Sequence, residues 1–266
     1  MKFDNTLTSN WENAIRGLRN PMDSWAKSDS KFGLLNFSLE DTDLDDVLYN
    51  WIQSIEKQQG SELLPDDYED TEEKLHHFLY KNGIIKRDDD LFEYAYLGPN
   101  DLDLAQRMIA GGRPNDKFLR QIFVSVDITA PIFLWKEIDT YKIGTVANST
   151  STMHTLSKKP ITLDCFETDD MVEIGRANSK TWEIIIDICE DLRQKYNETK
   201  DIRYWKELIR ILPESWLQLR TWTANYDVLR NIYRWRRSHR LTEWHQFCKW
   251  IKSLPYANEL ILYKND

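Results

Sequence analysis

Five arginines, Arg230, Arg234, Arg236, Arg237 and Arg240, crowd into eleven consecutive positions of a 266-residue chain whose formal net charge is −9. So dense a cationic run cannot be buried as a whole, because unpaired guanidinium groups do not leave water. It must cover the surface of an element or face an anion. The surrounding stretch, ILPESWLQLRTWTANYDVLRNIYRWRRSHRLTEWHQFCKWI, reads from Leu212-Pro213 onward as a polar, cationic helix face. Helical spacing puts Arg230, Arg234 and Arg237 on one side and Arg236 and Arg240 on another. A planar guanidinium suits phosphate because it binds two oxygens at once. A solvated, salt-bridged face accounts for the same pattern. Asn225 and Asn231 favour a ligand, since Asn has donors and acceptors for a base or ribose edge and is a mediocre helix former.

The rest of the chain supplies a frame. From Thr42, the positions Leu44, Val47, Leu48, Trp51, Ile52 and Ile55 follow the period of an amphipathic helix, with Thr42 or Asp43 as its cap. The acidic stretch GSELLPDDYEDTEEK reads as an exposed loop entering a second helix near residues 72–80, and Asp88-Asp89-Asp90 as a solvated turn. Residues 118–128 run apolar like a buried strand, and Ala130-Pro131 opens a helix through about Tyr141. A longer helical pattern over 167–196 carries Trp182, Ile185, Ile186, Cys189 and Leu192 on one face. Trp205, Leu208 and Ile211, then residues 241–251, continue the helical character. The expectation is a helix-rich α/β fold, with residues 1–97 a helical extension and 98–266 the main domain.

Composition excludes several classes. With 41% hydrophobic and 12% aromatic residues there is ample material for a core, and the eleven Trp are explained by packing. No apolar run is long enough to span a bilayer and MKFDNTLTSNWENAIRG lacks a signal-peptide core, so a cytoplasmic protein with no membrane partner is expected. Cys165, Cys189 and Cys248 are odd in number and widely spaced, which suggests reduced thiols. His245 and Cys248 stand three residues apart, but two ligands do not make a zinc site, so no metal is expected. Gly111-Gly112, followed by Arg113-Pro114, reads as a turn and not a phosphate loop. The net charge argues against a nucleic-acid partner.

Two blocks carry a family resemblance. Leu212-Pro213 is followed by Asn225 twelve residues after the Pro, Asn231 six later and Arg236 five beyond; the second block is QIFVSVDITAPIFLWKEIDTYKIGTVANSTSTMHT, from Gln121 to Thr155. In content, spacing and order they resemble the flavin-dependent thymidylate synthases, over roughly residues 98 to 257. The resemblance implies that family's α/β fold with a central β-sheet, and a homotetramer with sites shared between subunits. It implies FAD as cofactor and delivery of a methylene from methylenetetrahydrofolate to C5 of dUMP without a cysteine nucleophile; methylenetetrahydrofolate and NADPH matter only if that reaction is retained. Arg236 would then be the catalytic residue, polarising the base, while Asn225 and Asn231 would contact flavin or the nucleotide sugar.

Elsewhere the chain departs from the family. Thr140-Tyr141-Lys142 replaces the Arg-His-Arg signature, so Tyr141 stands for the imidazole and Lys142 offers a point charge to a phosphate. Ser151 matches the Ser that holds the substrate phosphate, but the Arg that follows it in the family is Thr152 or Met153 here. Gln121 takes the place of a flavin-holding His, and Arg210 matches the Arg before Leu-Pro with a one-residue shift. The hydroxyl-rich run from Asn148 through Ser149 and Ser151 to Thr152 is either a self-satisfied turn or a set of donors to an anion. Two functions remain open: FAD-dependent methylation of dUMP or a related uridine nucleotide, and non-catalytic sequestration of a signalling or metabolic nucleotide. Asn225, Asn231, Arg236 and the order of the two blocks favour the first; the altered signature and the missing Arg favour the second.

Overall fold

In the computed structural model, residues 1–35, 92–168 and 179–265 are described. The helices expected at 42–55 and 72–80, the acidic stretch and Asp88 to Asp90 lie outside the described residues. In chain order the helices are α1 (Trp11–Arg19), α2 (Pro99–Ala110), α3 (Ile132–Ile138), α4 (Thr152–Thr155), α5 (Ser179–Thr199), α6 (Ile202–Ile211), α7 (Tyr226–Arg236) and α8 (Thr242–Lys252). Strands β1 (Lys2–Ser9), β4 (Phe123–Pro131), β6 (Leu217–Asn225) and β5 (Val146–Ser149) form a sheet in the order β1-β4-β6-β5. Strands β2 (Lys31–Leu35) and β3 (Phe92–Tyr96) pair antiparallel, Phe32 opposite Ala95.

Burial along β4 alternates: Val124, Val126, Ile128 and Ala130 point into the core while Ser125, Asp127 and Thr129 between them are more accessible. The same period of two runs through LQLRTWTAN, where Trp222 and Ala224 are buried and Leu219 and Thr221 exposed. Thr and Trp are strand formers, and the pleat wins over the helix. The helical reading from Leu212 to Asn225 is thereby corrected: Leu217–Asn225 is a strand, and the helix starts at Tyr226. Cross-strand side chains fit this register, with Ser125 and Thr223 sharing a hydrogen bond of 3.0 Å and Thr221 donating to Asp127 at 2.6 Å.

Several boundaries move. A 3-10 helix (Asn115–Gln121) occupies the start of the strand expected over 118–128, which begins at Phe123 and continues to Pro131. Pro131 is extended, so α3 opens one residue later, and its first N–H groups, of Ile132 and Phe133, donate to the carbonyls of Trp216 and Glu214. It closes at Ile138, leaving Thr140 and Tyr141 in a turn. Glu167, expected to open the long helix, is not helical; its N–H donates to the carbonyl of Ser215.

The chain divides into two compact units, and both β4 and β6 contribute residues to each. The first takes residues 1–3, 127–142 and 146–222. Its core is Leu156, Ile161, Phe166, Cys189 and Leu208, with Trp182, Ile185, Ile186 and Leu192 packed against it, which is the face expected of α5. Glu190 fastens that helix to a loop: it accepts from Arg193 and from the N–H of Ile161, while Arg193 and Asn197 donate to the carbonyl of Ser157. The Arg193 guanidinium draws the Glu190 carboxyl down to about 2.

The second unit takes the described residues of 4–126, 143–145 and 223–266. Trp11, Ala14, Ile15 and Leu18, at i, i+3, i+4 and i+7, are all buried in α1. Trp11 meets Tyr226 and Tyr256 edge-on at 5.3 and 5.7 Å. Both phenols are satisfied, Tyr226 donating to the carbonyl of Pro255 and Tyr256 accepting from the N–H of Leu97. Asp101 at the start of α2 accepts from Arg19 at 2.5 Å and from Ser28, Ser30 and the N–H of Ser30. Burial alone would raise this carboxyl, yet the hydrogen bonds from Ser30, Ser28 and Arg19 hold it below its ordinary value. No helix among the described residues is long and apolar enough to cross a membrane.

Candidate functional site

Within the second unit, the predicted residues cluster on α7. Asn225 caps it: the side-chain oxygen accepts the N–H of Val228 at 3.0 Å. The rest of that amide lies against the loop of residues 143–145. Gly144 has φ 79, and a Cβ there would come within 2.9 Å of the Asn225 Nδ2, so both the backbone conformation and the close approach call for glycine. Asn225 thus spends its oxygen on the helix, and its Nδ2 has no hydrogen-bond acceptor among the described residues.

Eleven residues separate Asn225 from Arg236, about three turns, so the two fall on one side of α7 roughly 16 Å apart. The Arg236 guanidinium is half-buried, 4.7 Å from the ring centre of the fully buried Trp244. That ring fixes where the cation lies. Asn231 falls on a different side and is exposed, accepting a hydrogen bond from the indole of the equally exposed Trp235 at 3.1 Å. Gln121 does not join them. Its backbone carbonyl accepts from the Asn10 amide, and its side-chain oxygen packs where a Cβ on Gly17 would sit.

The arginine face of α7 has another occupant. Arg230 and Arg237 do share a side, but Arg230 donates to the carbonyls of Leu260, Ile261, Tyr263 and Lys264, and Arg237 to that of Asn265. The expectation of two anion-facing sides is corrected: one of them holds the chain's own C-terminal carbonyls. Arg240 lies beyond the helix. At the other end, Asp227 in the first turn is gripped by Arg120 at 3.0 Å and Arg113 at 3.1 Å, a pairing that also suits the helix dipole.

In the first unit, Lys142, Asn148 and Ser149 are exposed and Ser151 half-exposed. Lys142 has no ion-pair partner, and the hydroxyls of Ser149 and Ser151 no hydrogen bond, among the described residues. Tyr141 is half-exposed, its N–H closing the turn onto Ile138. Thr140 turns its hydroxyl back to the carbonyl of Glu137 at 2.7 Å. Arg210 is exposed and paired with Glu207 on α6.

The residue that the sequence reading missed is Arg220, on β6. Its guanidinium stacks on Trp135 at 4.4 Å and donates through Nε to Gln218 and through Nη1 to both oxygens of Asp139. Trp135 is itself anchored, its indole donating to the carbonyl of Gln218 at 2.9 Å. Reading LQLRTWTAN with a period of two would have put Gln218 and Arg220 on one face.

Sheet and helices make a mixed α/β fold, and its likeness to solved structures makes it one of the flavin-dependent thymidylate synthase type. The structure is similar over 100% of its length to that of the flavin-dependent thymidylate synthase ThyX from Helicobacter pylori, complexed with FAD and dUMP, with TM-score 0.57, 16% identity and 99% of that chain covered. A second structure of ThyX from Helicobacter pylori with FAD and dUMP gives TM-score 0.55 at 16% identity, covering 99% of this chain and 100% of that one. The UMP/dUMP methylase PolB from Streptomyces cacaoi, bound with 5-Br UMP, matches at TM-score 0.45 and 15% identity over 62% of this chain and 84% of that chain. No family model matches the sequence, and no curated protein matches it. At such identities the likeness establishes the fold.

Proposed function

We propose that this chain binds a uridine nucleotide, dUMP or a near relative, together with a flavin dinucleotide. The observation that carries the reading is that Asn225 and Arg236 stand on one side of α7, each fixed by a partner, in a fold whose solved neighbours are complexes with FAD and dUMP. For the phosphates of a flavin dinucleotide, Lys142, Ser149 and Ser151 in the first unit carry donors that no acceptor among the described residues uses. Bound, it would supply the redox chemistry of a methylene transfer to the nucleotide, with methylenetetrahydrofolate and NADPH involved only if that transfer is retained. The chain's own part is positional and electrostatic. Arg236, oriented by Trp244, polarises the base; the Nδ2 of Asn225 donates to flavin or sugar. The homotetramer implied by the resemblance belongs to the same proposal.

One observation favours a second reading, nucleotide sequestration without turnover. Thr140, at the first position of the altered signature, is neutral and gives its hydroxyl to the chain, so it brings neither a charge nor a spare side-chain donor where the family has Arg. Release of tritium from dUMP labelled at C5 separates the two, since sequestration releases none.

Calorimetric titration with dUMP tests the binding reading through Arg236→Ala, with Arg234→Ala as the exposed control. We expect a loss of about 1.5–3 kcal/mol for the first, the scale of a charge-assisted hydrogen bond, and little for the second. Arg230→Ala, on the C-terminal carbonyls, is no control at all. Equal affinities for Arg236→Ala and the parent would remove Arg236 from the site.

A further inference from the structure

Arg220 has the features of a prearranged anion donor. Three contacts fix its guanidinium plane: the Trp135 ring beneath it, Gln218 Oε1 on Nε at 2.9 Å, and Asp139 on Nη1 at 2.9 and 3.1 Å. Its remaining nitrogen, Nη2, has no partner among the described residues, although the side chain is only 16% exposed. A guanidinium held this way loses little freedom when it takes up a further acceptor, and a planar fork with a spare edge matches a phosphate oxygen.

Around it stand one carboxylate, Asp139, and, through Gln218, a hydroxyl-rich run. Asp139 belongs to the turn that leads to the unpaired Lys142 three residues on. Gln218, which holds Nε, also donates through its amide to the carbonyl of Thr150 and the hydroxyl of Thr152, so one side chain links Arg220 to the run containing Ser149 and Ser151. Asp139 is half-exposed and is the one carboxylate that Arg220 contacts among the described residues.

We infer that Arg220 binds a phosphate group of the ligand, with Lys142 as a second charge, and so supplies from β6 the guanidinium that Thr140 lacks. The inference rests on the proposed nucleotide and flavin reading and deepens it. The shared chemistry is a phosphate oxygen, which belongs either to a nucleoside monophosphate or to the pyrophosphate of a dinucleotide. Asp139 is then a competitor: it holds Arg220 in readiness and gives up part of the guanidinium when phosphate arrives.

The two roles of Arg220, brace and ligand, predict different outcomes for the same substitutions. Pyrophosphate, dUMP and FAD are titrated by calorimetry into the full-length parent, Arg220→Gln, Asp139→Asn and the double variant, and the unfolding midpoint of each is recorded. An anion donor predicts that Arg220→Gln weakens pyrophosphate binding about tenfold or more, one charge-assisted hydrogen bond. Asp139→Asn strengthens it several-fold, and the double variant shows no gain. A brace predicts shifted midpoints with pyrophosphate affinity unchanged in all three, and that result overturns the inference. If FAD loses affinity in Arg220→Gln and dUMP does not, the phosphate belongs to the dinucleotide; the converse assigns it to the monophosphate. Should dUMP and FAD bind the parent and Arg220→Gln alike, the inference fails while the proposed function stands. Should neither bind the parent although pyrophosphate does so through Arg220, that reading fails and the anion site remains.

Discussion

At the scale of single residues, chemistry in this chain is decided by what each polar group has left after serving the fold. Asn225 gives its oxygen to the Val228 N–H and keeps a nitrogen; Thr140 gives its hydroxyl to Glu137 and keeps nothing to donate. Glu259 is the costly case. Its Oε2 is buried without a partner among the described residues, and burial pushes the carboxyl above its ordinary value. A raised value means that the stabilising contribution is full below the ordinary 4.5 and is lost as pH rises through the folded value. Glu259→Gln, which cannot ionise, should therefore raise the unfolding midpoint at pH 7 by roughly 2–4 °C, about 1 kcal/mol after allowing for the solvent that still reaches the group. The gain should shrink toward pH 4. A midpoint at pH 7 that stays put or falls would contradict this account of Glu259.

Among the elements, α7 was half legible. Helical counting placed Arg230 and Arg237 on one side correctly, but sequence spacing says nothing about what a side faces. The occupants are backbone carbonyls from the C-terminal residues, which carry no side-chain signature, and Asn265 returns the contact by donating to the carbonyl of Arg230. Arg230→Ala would strand several of those carbonyls at once. We expect it to cost about 2–3 kcal/mol in urea denaturation, well above the effect of a solvated surface charge, together with faster hydrogen exchange at residues 260–265. A loss under about 0.5 kcal/mol would return Arg230 to the solvated class. Helix α5 was legible for the opposite reason, because Trp182, Ile185, Ile186, Cys189 and Leu192 declare a buried side by type and period alone. Strand β6 was hidden: its arginine and glutamine sit on the same face as a buried Trp, and a run of arginines just downstream invited a helical count through it. Arg220 was lost with it.

For the whole molecule, spacing of Leu212-Pro213, Asn225, Asn231 and Arg236 was enough to indicate the fold, because those positions span the passage from β6 into α7. The N-terminal third showed no such spacing, yet the structural likeness runs over 100% of the chain. Strand β1 and the pairing of β2 with β3 stand within residues 1–97 beside α1. Their residues satisfy the generic rules of strand and helix, which many sequences meet equally well, so their letters carry no spacing from which a resemblance could be read. The Asp101 network is an example: it fixes residues 28–30 to α2 with Ser and Asp side chains that pass unnoticed in sequence.

Retention of flavin tests the central claim most directly. In this proposal Lys142 and Arg220 take the place of the Arg-His-Arg signature, so FAD should bind weakly enough to be lost on purification and still saturate on titration. Flavin fluorescence followed against FAD concentration, with dUMP present, should give a single saturable isotherm with Kd on the order of 1–100 μM. No saturation up to millimolar FAD, with or without dUMP, would contradict the account.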